Sequence, residues 1–128
     1  MLTINDTAKK VGLSKKQLRD YETLGLVTPH ARSASGYRLY SSEDIERLSF
    51  IAHARNVGFS LAQTKTLLAL QASPHQNSCH VKALTKTHID ELSEKIDKLI
   101  TMRNKLQSWY DACSGDDHTE CVILKALE

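Results

Sequence analysis

From Asn77 to Ala112 the chain runs for on the order of 35 residues without a proline or a glycine. As a helix, such a segment is about 50 Å long at 1.5 Å per residue. A chain of 128 residues has material for one core, and a small domain cannot cover a helix of that length. Ile89, Leu92, Ile96, Leu99, Leu106 and Tyr110 fall on an alternating three-four spacing, interrupted at Arg103 with Met102 beside it. This is the seam of a coiled coil, so a second copy of the chain is expected to cover it.

Residues ahead of this helix organise differently. Ile4, Ala8, Val11, Leu13, Leu18, Tyr21, Leu24 and Leu26 form two short amphipathic segments broken at Gly12. Asn5 or Asp6 can cap the first and Ser14 the second, which makes a helix-turn-helix whose second helix is Ser14 to Thr23. The formal charge of +2 is too mild to declare a nucleic-acid binder. A basic surface must come from local clustering, and Lys15, Lys16 and Arg19 share the polar side of the second helix while Leu18 and the ring of Tyr21 point inward.

Pro29, a Ser-Ala-Ser-Gly turn and the alternating run Tyr37-Arg38-Leu39-Tyr40 follow, ending at a serine-rich helix cap before Glu43. Two short strands around a glycine turn make a wing. Arg32 and Arg38 flank the turn, where they can reach phosphates beside a recognition helix.

"LRDYETLGLV", "RSASGYRLYSSEDIERLSFI" and "ARNVGFSL", taken in order, resemble the MerR family of dimeric, metal- or stress-responsive transcription regulators from Thr3 to about Leu70. Asp20 departs from the pattern, since the family more often has an aromatic or other uncharged residue there. The resemblance implies a mainly α fold. It comprises a winged helix-turn-helix DNA-binding domain over residues 1–72, a linker and antiparallel coiled-coil dimerisation helix over 73–112, and a metal-binding loop with a short terminal helix over 113–128. It implies that Arg19 with Lys16 faces the major groove of promoter DNA, and that Tyr21, Arg32, Tyr37, Arg38 and Arg55 hold the DNA backbone. The competing role for Arg55 is a helix-surface ion pair with Glu46 or another acid. Trp109 and Met102 would fill the groove where the helix meets the partner's head.

Two of the three cysteines enclose the stretch Ser114 to Glu120, "SGDDHTE". An odd count, and an N-terminus without an apolar signal core, argue for a reducing cytoplasmic setting and against a disulfide framework. No run approaches the length needed to cross a bilayer. Extending the seam by seven from Leu106 lands on Cys113, and Cys121 opens "CVILKALE", a short amphipathic helix whose Val122, Ile123 and Leu127 can dock over the site. Two sulfurs in a tight loop suit a soft ion; monovalent copper, silver or gold accept two thiolates, whereas zinc usually takes four ligands.

The loop Cys-x-Gly-Asp-Asp-x-x-x-Cys-x-Ile resembles that of the copper-efflux regulators of the CueR kind, without their usual proline at Ser114. In the divalent-metal branch a partner-chain cysteine stands four residues before a lysine; in the copper branch that position is serine. Here Lys82 puts Ser78 at that position and Cys79 one residue later, a rotation of about 100°. Lys82 would offset the charge left by two thiolates and a monovalent cation. The alternative is a zinc, cadmium or lead sensor in which Cys79 and His118 join Cys113 and Cys121; His75, His80 and His88 read as exposed histidines. A thiol-redox or aldehyde sensor is a further alternative. No cofactor loop or acid/base constellation supports an enzyme, and the winged motif argues against a metal chaperone. As a regulator of this kind, the dimer would hold a near-palindromic promoter and, on binding metal, distort it so that RNA polymerase can engage both promoter elements.

Overall fold

A computed structural model describes residues 1–73, 77–117 and 120–128. Its elements run β1 (Leu2–Thr3), α1 (Ile4–Val11), α2 (Lys15–Thr23), β2 (Ala31–Arg32), β3 (Arg38–Tyr40), α3 (Ser42–Asn56), α4 (Leu61–Ala72), α5 (Ser78–Ala112) and α6 (Val122–Ala126). The chain divides into two compact units, Met1–Val81 and Lys82–Glu128.

Local chemistry sets most boundaries in the first unit. Ser14, Ser41 and Ser60 each cap a helix and form reciprocal capping boxes with Gln17, Asp44 and Gln63. Helix α1 is capped one turn earlier than expected, by Thr3 rather than Asn5 or Asp6. The reason is β1, which the sequence pattern does not announce: pairing of Leu2 with Tyr40 and Thr3 with Leu39 delivers an extended Thr3 to the helix start. The wing strands pair antiparallel, Ala31 opposite Leu39 and Arg32 opposite Arg38, so β3 is the centre of a three-stranded sheet in the order β1-β3-β2.

Leu18, Val27, Tyr40, Leu48 and Ile51 are fully buried and pack in one cluster with Ala8, Tyr21, Leu26 and Leu68. The helix-turn-helix, wing, α3 and α4 thus share one core. Asp44 does double duty, accepting from Ser41 N and from His30 N at 3.0 Å, which anchors the entry to the wing on the start of α3.

In the second unit α5 keeps its apolar stripe uncovered. Ile89, Ile96, Leu99, Leu106 and Tyr110 are each half or more exposed in the single chain. His88 is not an exposed histidine but is buried, because it recurs with the half-buried Val81 and Leu84 at helical spacing and shares their face. His80 is exposed, and His75 lies outside the described residues.

The turn between α1 and α2 depends on Gly12, at φ 73°, whose N–H closes on the Ala8 carbonyl at 3.0 Å. A Cβ added there meets nothing within 4 Å, so the cost of a side chain is purely conformational. Gly12→Ala should lower stability by about 1–2 kcal/mol in urea unfolding, and Gly12→Asn by less; equal stability of the alanine variant would contradict this account.

Candidate nucleic-acid interface and thiol pair

Burial of Leu18 and Tyr21 fixes the rotation of α2, with Tyr21 only 4% exposed and its ring committed to the core. Lys15, Lys16, Arg19 and Asp20 are left exposed. Relative to Leu18, helical geometry places Lys16 and Asp20 on the side turned away from the core, so Asp20 adds a carboxylate to an otherwise basic face.

The wing contributes Tyr37, 70% exposed beside its turn, with its N–H donating to Ser33 Oγ at 3.1 Å. Arg32 and Arg38 do not stand free on either side of that turn. Both meet Glu22 of α2: Arg38 Nε donates to Glu22 Oε2, and Arg32 Nη2 lies 3.6 Å from Oε1. Glu22 is the residue of this surface that sequence reasoning missed, because contacts across 10 and 16 positions leave no local periodicity to read. Arg55, exposed near the end of α3, donates through Nη1 to the Phe59 carbonyl at 2.7 Å. Its expected pairing with Glu46 does not form, since nine residues of helix separate the two by about 13 Å. Under the sheet, the Tyr40 hydroxyl is buried without a hydrogen-bond partner. Burial first, and the Glu22 carboxylate second, push its phenol above the ordinary value and keep it protonated.

At the other end of the chain, the N–H of Cys113 continues the helical pattern to the carbonyls of Trp109 and Tyr110 at 3.0 and 3.2 Å. Gly115, at φ 70°, then turns the chain. Cys121 occupies the N-cap of α6. Its sulfur makes no full capping hydrogen bond there, yet the amides of Leu124 and Ile123 lean on it and the Cys113 side chain bonds to it. The structure therefore brings Cys113 and Cys121 side by side. All three cysteines are free thiols.

An open depression of about 520 Å³ beside the pair is lined by Tyr110, Asp111, Cys113, Ser114, Gly115 and Ile123. Ile123 takes the covering role expected of the terminal helix, whereas Val122 and Leu127 remain 38% and 66% exposed. A helix of five residues has too little surface to turn all three inward. Trp109 is half-buried, with Lys105 Nζ 5.7 Å from its ring centre, and Met102 is exposed.

Ser78 and Cys79 stand exposed in the first turn of α5, with Lys82 in the next. Since α5 has 35 residues and a length of about 50 Å, Lys82 can approach Cys113 only from another chain. His118 lies outside the described residues. Among the described residues no cluster of three or more His, Cys, Asp or Glu side chains forms a metal cage, and no helix is long and apolar enough to cross a membrane.

The amides at the start of α6, and then Cys113, hold the Cys121 thiol below its ordinary value by favouring the thiolate, against the smaller opposing effect of desolvation. Alkylation of Cys121 in metal-free protein, followed by site-resolved mass spectrometry, should therefore inflect at lower pH than free cysteine. A pH–rate profile superimposed on that of free cysteine would contradict the arrangement.

Two family models match the chain: "MerR HTH family regulatory protein" over residues 2–71 and "MerR, DNA binding" over residues 45–109. A "Probable heavy metal-dependent transcriptional regulator" of Haemophilus influenzae is 53% identical, covering 98% of both chains. The "HTH-type transcriptional regulator CueR" of Escherichia coli O6:H1 is 40% identical over 98% of this chain and 93% of its own length. Among solved structures, the transcription regulator PbrR691 of Ralstonia metallidurans CH34, in complex with lead(II), matches over the whole of both chains with a TM-score of 0.82 and 30% identity. Members of the family are transcription regulators and not enzymes. With matches at this level across the head and the long helix alike, the chain belongs to the MerR family of helix-turn-helix, DNA-binding transcriptional regulators.

Proposed function

We propose that this regulator is a metal-responsive activator that binds monovalent copper, silver or gold through Cys113 and Cys121 and controls genes for metal efflux or detoxification. The observation that carries the reading is the adjacency of the two thiols at the exit of α5, one of them biased toward the thiolate. The donor set fits a soft cation of low coordination number. Its relatives include a heavy metal-dependent regulator and CueR, which supports the metal and then the copper branch.

The working unit is a homodimer on near-palindromic promoter DNA, acting with RNA polymerase. The exposed stripe of α5 from Ile89 to Tyr110 supports that assembly, because an apolar face of this length on one chain marks an interface. Lys15, Lys16, Arg19, Tyr37 and Arg55 supply the exposed contacts to DNA, with Arg32 and Arg38 beside them.

When bound, the ion supplies a bridge between two thiolates that fixes the loop. The rest falls to the chain: Gly115 lets residues 113–121 fold back, Ile123 closes one side of the depression, and the exposed Val122 and Leu127 are available to the partner's head. Lys82 of the second copy offsets charge. Bending promoter DNA costs several kcal/mol, so the metal-loaded loop must favour the distorting state over the other rather than bind both alike.

A second reading, a zinc, cadmium or lead sensor, is favoured by the lead-bound relative of matching fold. X-ray absorption of the copper-loaded protein separates the two: the copper reading requires two short sulfur contacts per site, lost in Cys113→Ser and Cys121→Ser and kept in Cys79→Ser. Ligation by Cys79 and His118 would reverse the choice. Deleting residues 122–128 should leave promoter affinity within about threefold while abolishing metal-dependent transcription in vitro; retained activation would sink the proposed role of the terminal helix.

A further inference from the structure

One carboxylate ties the wing to the recognition helix. Glu22, near the end of α2, accepts from Arg38 Nε on β3 and lies 3.6 Å from Arg32 Nη2 on β2. Arg32 and Arg38 are directly opposed in the β2–β3 register, so their side chains rise from the same face of the ribbon and converge on Glu22. Arg32 also donates through Nη1 to the Gly36 carbonyl at 3.0 Å, bracing the wing turn. The Glu22 and Arg38 side chains keep only 23% and 28% of their exposure and Arg32 keeps 53%, so the cluster is shielded on the helix side and open on the other.

A guanidinium carries five N–H donors in a rigid fork. Glu22 engages only the Nε donor of Arg38, and among the described residues the two terminal nitrogens of Arg38 have no acceptor. The same contact that restrains the side chain therefore leaves its paired donors for a phosphate. It also places one negative charge beside two positive ones on a surface whose task is to meet a polyanion.

We propose that Glu22 is a positioning residue of the DNA-binding surface. Its carboxylate orients Arg32 and Arg38 and couples the wing to α2, so that wing and recognition helix engage DNA in a single register. By neutralising part of the local charge, it also restrains binding to arbitrary sequence. The inference rests on the assignment of Arg32 and Arg38 to phosphate contacts.

The test uses the full chain, an operator duplex recovered by binding-site selection and a random-sequence duplex, with affinities measured across a salt series. Glu22→Gln keeps the shape and removes the charge. It should bind random DNA several-fold tighter and the operator no tighter, cutting discrimination by roughly tenfold, and should steepen the slope of log affinity against log salt by up to about 0.9. Arg38→Gln should weaken both duplexes and flatten the slope by a similar amount. Glu22→Asp keeps the charge on an arm too short to reach both arginines, so it should retain the wild-type slope and lose discrimination. If Arg38→Gln changes neither affinity nor slope, the phosphate assignment fails and the proposal with it. If Arg38→Gln behaves as stated but Glu22→Gln shifts both duplexes equally, or only lowers the melting temperature, the proposal alone is overturned; so it is if Glu22→Asp matches Glu22→Gln in slope.

Discussion

A helix of 35 residues that leaves its apolar stripe uncovered sets the terms for everything else in this protein. The head can bury a core of its own, centred on Leu18, Tyr40, Leu48 and Ile51, because short helices and a three-stranded sheet enclose one another within about seventy residues. The long helix has no such enclosure. Its hydrophobic face contributes to stability only when another surface removes it from water. Head and helix thus divide the work: one carries a self-sufficient fold and the other holds the means of joining two such folds.

That division explains what was legible in the sequence. Serine caps, the glycine between two amphipathic segments and the proline-free run are local signals, and α2, α3, α4 and α5 follow them closely. The misses are non-local. Strand β1 is two residues long and exists only because β3 accepts it, which moved the cap of α1 to Thr3. Pairing of Glu22 with Arg32 and Arg38 depends on the wing folding back over α2, and no window of a few residues contains both partners. His88 looked like a surface histidine by type and is buried by its place on a helix face.

The cysteines follow the same rule in a sharper form. Cys113 and Cys121 are joined by a loop short enough for sequence spacing alone to bring them near each other, and their sulfurs do meet. Cys79 has the same chemistry but sits exposed at the opposite end of α5 from Cys113. Residue type nominates a ligand, whereas the path of the backbone decides which nominees share a place.

Helix α6 has five residues, and the Cys121 sulfur at its start makes no full capping bond. Helices this short do not repay their nucleation cost in water, because the first turn fixes several backbone torsions for a single hydrogen bond. Such a segment sits close to its own coil transition. The reversible chemistry of one sulfur atom is then comparable to what is needed to order or release the chain's last turn, and a terminus so poised responds to a small input without straining the stable head.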